Sequence, residues 1–216
     1  MFLINAASFE DEWLTEYKED QIHEDSIFTN YKNEEQSVTM LNSTESTLLK
    51  NNNAKGFIKP YKNGDYGFFA LLPNEDITLD EFTASFSGSD FLDLYKNREH
   101  ADVFVTFPEF TFEYEAELST HLTNLGMPSA FNATADFSNM LEDKRELLYI
   151  GSVLHKTFID VDRAGTKAAA ATLIDMTDEA CAIEEESPKY VYLDRPFLYA
   201  IVEVDSDHSS AQTRYM

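Results

Sequence analysis

The chain has 216 residues, of which 43% are hydrophobic and 13% aromatic, enough for one sizeable core, so general disorder is excluded. Its 40 Asp and Glu against 16 Lys and Arg give a formal charge of −24, which repels a phosphate backbone and an anionic bilayer; neither nucleic acid nor a membrane surface is expected as a partner. No window approaches the roughly 18 consecutive apolar residues of a spanning helix, Met1-Phe2-Leu3-Ile4 meets Asn5 too early for a signal-peptide core, and the lone Cys181 has no cysteine with which to form a disulfide or a zinc site.

In chain order, Phe2 to Phe9 is nearly continuous in apolar and small residues and predicts a strand buried on both faces. Because a domain rarely opens on such a strand, sequence is expected to be missing before Met1. Residues 10–36 are polar and acidic, anchored by Trp13, Tyr17, Phe28 and Tyr31, and read as loop and short edge strands. Val38 to Leu41, Thr47 to Lys50 and Gly56 to Tyr61 read as three strands, and Asn63-Gly64 as a hairpin turn. Tyr66 to Pro73 is a fully buried strand, stopped by Pro73-Asn74. Apolar residues three and four apart then predict two short helices, Leu79 to Ser87 and Asp90 to Asn97. Strand character resumes at Val103 to Pro108 and Phe110 to Tyr114, the latter alternating aromatic and polar residues as if one face were covered and the other wet. Glu117 to Leu125 is an amphipathic helix closed by Gly126, and Phe131 to Met140 is irregular. Strands in blocks and helices in blocks predict an α+β fold, and with no repeat or linker a single domain over 1–216.

The most informative stretch is Gly165-Thr166-Lys167-Ala168-Ala169-Ala170-Ala171-Thr172. Alanine favours helices, so the first turns of a helix are one reading. The flanks offer another: Leu148 to Val161 and Tyr190 to Ile201 are rich in β-branched and aromatic residues, and a small-residue segment between strands can itself enter a sheet. Catalytic readings fail. There is no Gly-x-Ser-x-Gly elbow, the five histidines have no neighbouring nucleophile motif, and no His and carboxylate grouping has metal spacing, so the chain is read as a non-enzyme without metal or cofactor. Glu184 to Glu186 is a solvated charge run, and Asn42-Ser43-Thr44 and Asn132-Ala133-Thr134 fit the short glycosylation pattern.

Several motifs in order resemble the serpin family, the serine protease inhibitors. Val191-Tyr192-Leu193-Asp194-Arg195-Pro196-Phe197-Leu198-Tyr199 is similar to the signature that follows the family's reactive loop, and Gly165-Thr166 with four alanines and Thr172 to its proximal hinge. Leu154-His155-Lys156-Thr157-Phe158 resembles the strand before the hinge, and Leu125-Gly126-Met127 with Ala135-Asp136-Phe137-Ser138 the preceding helix and loop. Asn5, Phe9 and Trp13 resemble the third strand of the central sheet. The match runs over roughly residues 2–204. It implies a mixed multi-sheet α+β fold with an exposed reactive loop at about 163–189, incomplete at both ends: first strands are expected before residue 2, and the polar segment 205–216 does not match the family's closing strand.

The resemblance also implies a mechanism. A serine or cysteine protease attacks the loop, and the cut loop inserts into the central sheet as a new strand carrying the protease with it. Thr166, Ala168, Ala170 and Thr172 would face inward by the two-residue period, all small, and no proline occurs from Gly165 to Ser187. About a dozen inserted residues at ~1 kcal/mol per net hydrogen bond offer roughly 10 kcal/mol, comparable with a domain's whole stability. Arg163 and Lys167 stand where the family usually carries acidic residues, and Ala164 at another often acidic position. Counting the family's usual hinge-to-cut distance from Arg163 places the reactive bond between Glu179 and Ala180, suiting a glutamate-preferring protease. A cut after Ala180, Cys181, Ala182 or Ile183 stays open, because the stretch to Pro196 is longer than usual. Asn5 and His155 resemble the polar pair where the sheet parts, and Trp13 the tryptophan where the loop first enters; ordinary core packing is the other reading of Trp13. The setting implied is extracellular. The alternatives are a non-inhibitory serpin-fold interaction or chaperone-like protein, and an inactive gene fragment.

Overall fold

A computed structural model describes residues 1–143, 147–166 and 188–204. Among the described residues twelve strands and three α-helices follow in order: β1 (Phe2–Ala7), β2 (Asp11–Glu12), β3 (Ile22–Thr29), β4 (Glu35–Lys50), β5 (Ala54–Pro60), β6 (Tyr66–Pro73), α1 (Leu79–Ser85), α2 (Gly88–Lys96), β7 (Glu99–Pro108), β8 (Phe110–Glu117), α3 (Ser119–Asn124), β9 (Ser152–Val161), β10 (Gly165–Thr166), β11 (Lys189–Tyr192) and β12 (Leu198–Glu203). Contacts group the chain into two units, one of residues 1–9 and 111–160, the other of residues 10–110 and 161–216.

The larger unit is built on a sheet of order β11-β7-β4-β5-β6-β12, with β3 also paired to β4. Residues 38–41 and 47–50, expected as separate strands, belong to one 16-residue strand. The polar stretch between them stays in the sheet because Asn42 to Glu45 pair in register with Thr106 to Val103, and the ladder shifts only between Glu45 and Thr47. Asn63-Gly64 forms the expected turn, Gly64 at φ 78° where a side chain is disfavoured. β6 is buried along nearly all its length. Phe68 packs with Phe57 and Phe107, while Phe69 and Leu71 join Phe82, Phe91, Leu94 and Tyr95 from α1 and α2 in a second cluster. α1 begins at the expected Leu79 but stops at Ser85, and α2 begins at Gly88, two residues before the expected Asp90; Thr78 and Ser87 cap them, accepting from the backbone of Glu81 and Asp90, whose side chains return the bond.

In the smaller unit β9 pairs with β1, parallel, and with β8. The expectation that the first strand is buried on both faces is overturned: Phe2 is 81% and Ile4 74% exposed. Among the described residues β1 pairs along one edge only, and an apolar run needs neighbours on both faces to be buried. The one-face-covered reading of β8 fails likewise, since Phe112 and Tyr114 are each about half exposed and the alternating Thr111, Glu113 and Glu115 are exposed too. α3 ends as expected, with Gly126 at φ 104°.

Candidate functional site

Gly165 and Thr166, the first residues of the small-residue stretch, form β10 and are buried. β10 pairs antiparallel with β2, Gly165 against Glu12 and Thr166 against Asp11, and Thr166 also pairs with Val161. The approach is tight enough to require glycine: a Cβ on Gly165 would sit 2.3 Å from the Asp11 carbonyl oxygen and 2.7 Å from Glu12 Cα. Thr166 is fully buried and shares a 2.7 Å hydrogen bond with the Tyr61 hydroxyl. The Tyr61 ring stacks on Trp13 with centroids 4.7 Å apart. Burial pushes the Tyr61 phenol well above its ordinary range, with the Thr166 bond acting the other way, so it stays a neutral hydroxyl.

The turn leading into β10 is tied locally and from outside. Asp162 Oδ1 accepts from the backbone N–H of Ala164 at 2.7 Å and of Gly165 at 3.0 Å, and Asp162 N–H donates to the Gly165 carbonyl at 2.9 Å. Three successive carbonyls are then taken by the segment after β2: Asp162 accepts from Trp13 Nε1 at 2.8 Å, Arg163 from Tyr17 N at 3.4 Å, and Ala164 from Trp13 N at 3.0 Å. Trp13 is 1% exposed, packed against Phe68 and Phe107 as well as Tyr61, so the core residue is also the one that holds the turn before β10. Arg163 forms a forked pair with Glu109, Nε to Oε1 at 2.9 Å and NH2 to Oε2 at 3.1 Å, and its N–H also donates to Oε1 at 3.0 Å. The basic residue that departs from the family pattern thus has an acidic partner.

Asp11 adds a stressed group. It is half-buried, yet its Oδ2 is out of reach of solvent and accepts no hydrogen bond among the described residues; burial raises its carboxyl above the ordinary 3.8, opposed by the N–H donated from Glu12 and by Lys62, while the charges of Glu12 and Asp65 add to the rise.

Asn5 and His155 are brought side by side in the smaller unit as register partners of β1 and β9, with Asn5 exposed and His155 half-buried. No hydrogen bond joins their side chains among the described residues. Lys167, Ala168, Ala169, Ala170, Ala171 and Thr172 lie outside the described residues, as do Glu179 and Ala180 and the alternatives Cys181, Ala182 and Ile183. Tyr61, Glu109 and Asp162 were not read from the sequence. Asp162 carried a local signal, an Asp two residues before a small residue and three before Gly, but the distant partners Tyr61 and Glu109 carried none.

No group of His, Cys, Asp or Glu among the described residues is placed to hold a metal, and no described helix is long and apolar enough to cross a membrane. A family model described as "Serpin (serine protease inhibitor)" matches residues 1–211. An uncharacterized serpin-like protein of Methanosarcina acetivorans is 30% identical over 203 residues, 93% of this chain and 46% of its own length. "Intracellular coagulation inhibitor 2" of Tachypleus tridentatus is 27% identical over 209 residues, 95% of this chain and 50% of its own. The native-state crystal structure of the thermophilic serpin tengpin superposes with a TM-score of 0.81 at 41% identity, over 94% of this chain and 51% of that one. The chain thus spans about half the length of the curated relatives it matches. With this match over nearly the whole chain, two mixed sheets and few helices among the described residues, the chain belongs to the serpin family.

Proposed function

We propose that this chain carries the reactive half of a protease inhibitor: a suicide substrate whose loop, over about 163–189, is cut and then enters the sheet as a continuation of β10. The observation that carries this reading is the loop base. Gly165 and Thr166 already form a short buried strand, and the stretch from Lys167 to Ser187 is free of proline and carries four consecutive alanines, Ala168 to Ala171. A cut loop that continues β10 outward extends an existing ladder rather than nucleating a new one. The reactive bond is assigned to Glu179–Ala180 and the target to a serine or cysteine protease. The protein itself is not a catalyst in this scheme: the attacking nucleophile and the acyl bond belong to the protease.

Incubation with Glu-specific, elastase-like and trypsin-like proteases tests the proposal. The expected result is a covalent complex with the Glu-specific enzyme that survives denaturing gel electrophoresis; plain cleavage by all three overturns it. A non-inhibitory, interaction or chaperone-like role is the second reading, favoured by the departures at Arg163 and Lys167. It predicts no gain in thermal stability after loop cleavage, where an inserting loop raises the midpoint. The extracellular setting implied by the family resemblance stands against a relative named for an intracellular role, and fractionation of native cells decides between them.

A further inference from the structure

The outer face of β4, β7 and β11 brings an aromatic surface and an acceptor asparagine together. Tyr190 and Tyr192 of β11 stand beside Phe104 and Thr106 of β7, which in turn face Thr44 and Asn42 of β4. Strand alternation sends Val103, Val105 and Val191 into the core and these six residues to the opposite face. That face is aromatic and open: Phe104 is 46%, Tyr190 60% and Tyr192 49% exposed, with the Phe104 and Tyr190 rings stacked at 5.3 Å. Contiguous exposed aromatic surface marks a place where something else makes contact.

The same face carries Asn42-Ser43-Thr44, one of two triplets in the chain that fit the pattern for N-linked sugar. Asn42 Oδ1 accepts from Thr106 Oγ1 at 2.8 Å, which fixes the side chain beside the aromatic rings. Its Nδ2, the atom to which a glycan is joined, makes no hydrogen bond among the described residues and reaches solvent. Thr44, which completes the triplet, is exposed. In the other triplet the corresponding nitrogen is engaged: Asn132 Nδ2 donates to the Pro128 carbonyl at 2.8 Å, and Oδ1 closes a local turn by accepting from Thr134 N–H at 2.8 Å.

We propose that Asn42 carries an N-linked glycan whose first sugars lie across Phe104, Tyr190 and Tyr192. Transfer forms a bond from Asn42 Nδ2 to C1 of the first sugar and breaks the C1–O bond to the phosphate of a lipid-linked oligosaccharide. The lipid phosphate leaves with the amide proton; donor and transferase come from the producing cell. Phe104 is the diagonal neighbour of Asn42, about 7–8 Å away, and β11 lies two strand spacings, about 10 Å, from β4. The apolar C–H face of a pyranose packs on the electron-rich face of an aromatic ring, so a glycan leaving Asn42 meets a surface suited to it. β11 is the outer strand of this sheet among the described residues, and the sugars also screen an edge open to pairing with another chain. The proposal rests on the extracellular setting and not on protease inhibition.

Peptide mapping of the full chain from native cells, before and after peptide:N-glycosidase treatment, tests the modification. Asn42 is expected to carry sugar in exported protein, and its side chain to become a carboxylate on enzymatic release. Exported protein with Asn42 bare, including protein glycosylated only on Asn132, overturns the proposal and leaves the extracellular setting intact; bare protein held inside the cell overturns both. Thr44→Val destroys the acceptor triplet but keeps Asn42 and its bond to Thr106. The glycosylated parent is expected to unfold several degrees above this variant, and the gain to vanish when Phe104→Ser and Tyr192→Ser are introduced into both. A gain undiminished in that background overturns the placement of the sugars on the aromatic face.

Discussion

Asp11 shows how a single side chain in the β2–β10 ladder ties stability to pH. Its folded-state proton affinity is raised, chiefly because burial penalises the carboxylate. A raised carboxyl means that the folded chain holds the proton more firmly than the unfolded one. The favourable contribution is therefore complete below the ordinary carboxyl value of 3.8 and is lost as pH rises through the higher folded value. At neutral pH the ionised Asp11 opposes the packing of β2 on β10. Asp11→Asn keeps an acceptor for the Glu12 N–H, made at 2.9 Å to Oδ1, and removes the charge. It is expected to be more stable than the parent near neutrality, with the difference shrinking as pH falls below the ordinary carboxyl range. Urea midpoints across a pH series measure this, and a difference independent of pH would show that Asp11 is not strained by its charge.

At the scale of the element, the hairpin from β9 into β10 is held by two kinds of restraint. The hydrogen bonds of Asp162 and the Trp13–Tyr17 segment are short-range and directional, whereas the Arg163–Glu109 pair is electrostatic and half open to water, Arg163 being 48% exposed. Water screens such a pair, so its worth is on the order of 1 kcal/mol. Reversing one charge by Arg163→Glu sets two carboxylates face to face and is expected to lower stability by about that amount. Adding Glu109→Arg restores the attraction but only part of the loss, because Glu109 Oε1 also accepts the Arg163 N–H. A double-mutant cycle by thermal or urea unfolding reads this coupling directly, and strict additivity of the two changes would rule out the pair as a restraint. The same hairpin explains why Gly165 had to be glycine: its neighbour is a backbone, not a side chain that can move.

Across the whole molecule the formal charge of −24 is the dominant electrostatic fact. Most ion pairs are at the surface, Lys156 with Glu115 and Lys189 with Glu99 among them, and there are too few cations to neutralise the rest. Self-repulsion of this kind favours expansion, and salt screens it over about 10 Å at 0.1 M. The unfolding midpoint is therefore expected to rise between low and physiological ionic strength; a midpoint that falls with salt would mean that the ion pairs outweigh the repulsion. The sequence by itself determined the two helices within 79–97, through their apolar spacing, the Asn63-Gly64 turn, and the buried β6, because these are set by local propensity and by hydrophobic period. It also determined the family, through motifs spread along the chain. What only the tertiary structure decided was coverage and partnership. Phe2, Ile4, Phe112 and Tyr114 look like core residues by pattern and are exposed, because burial depends on which neighbours pack over a strand. Likewise the partners of Thr166, Arg163 and Lys59 are Tyr61, Glu109 and Glu45, between 14 and 105 residues away in sequence, and no local pattern encodes contacts that long-range packing creates.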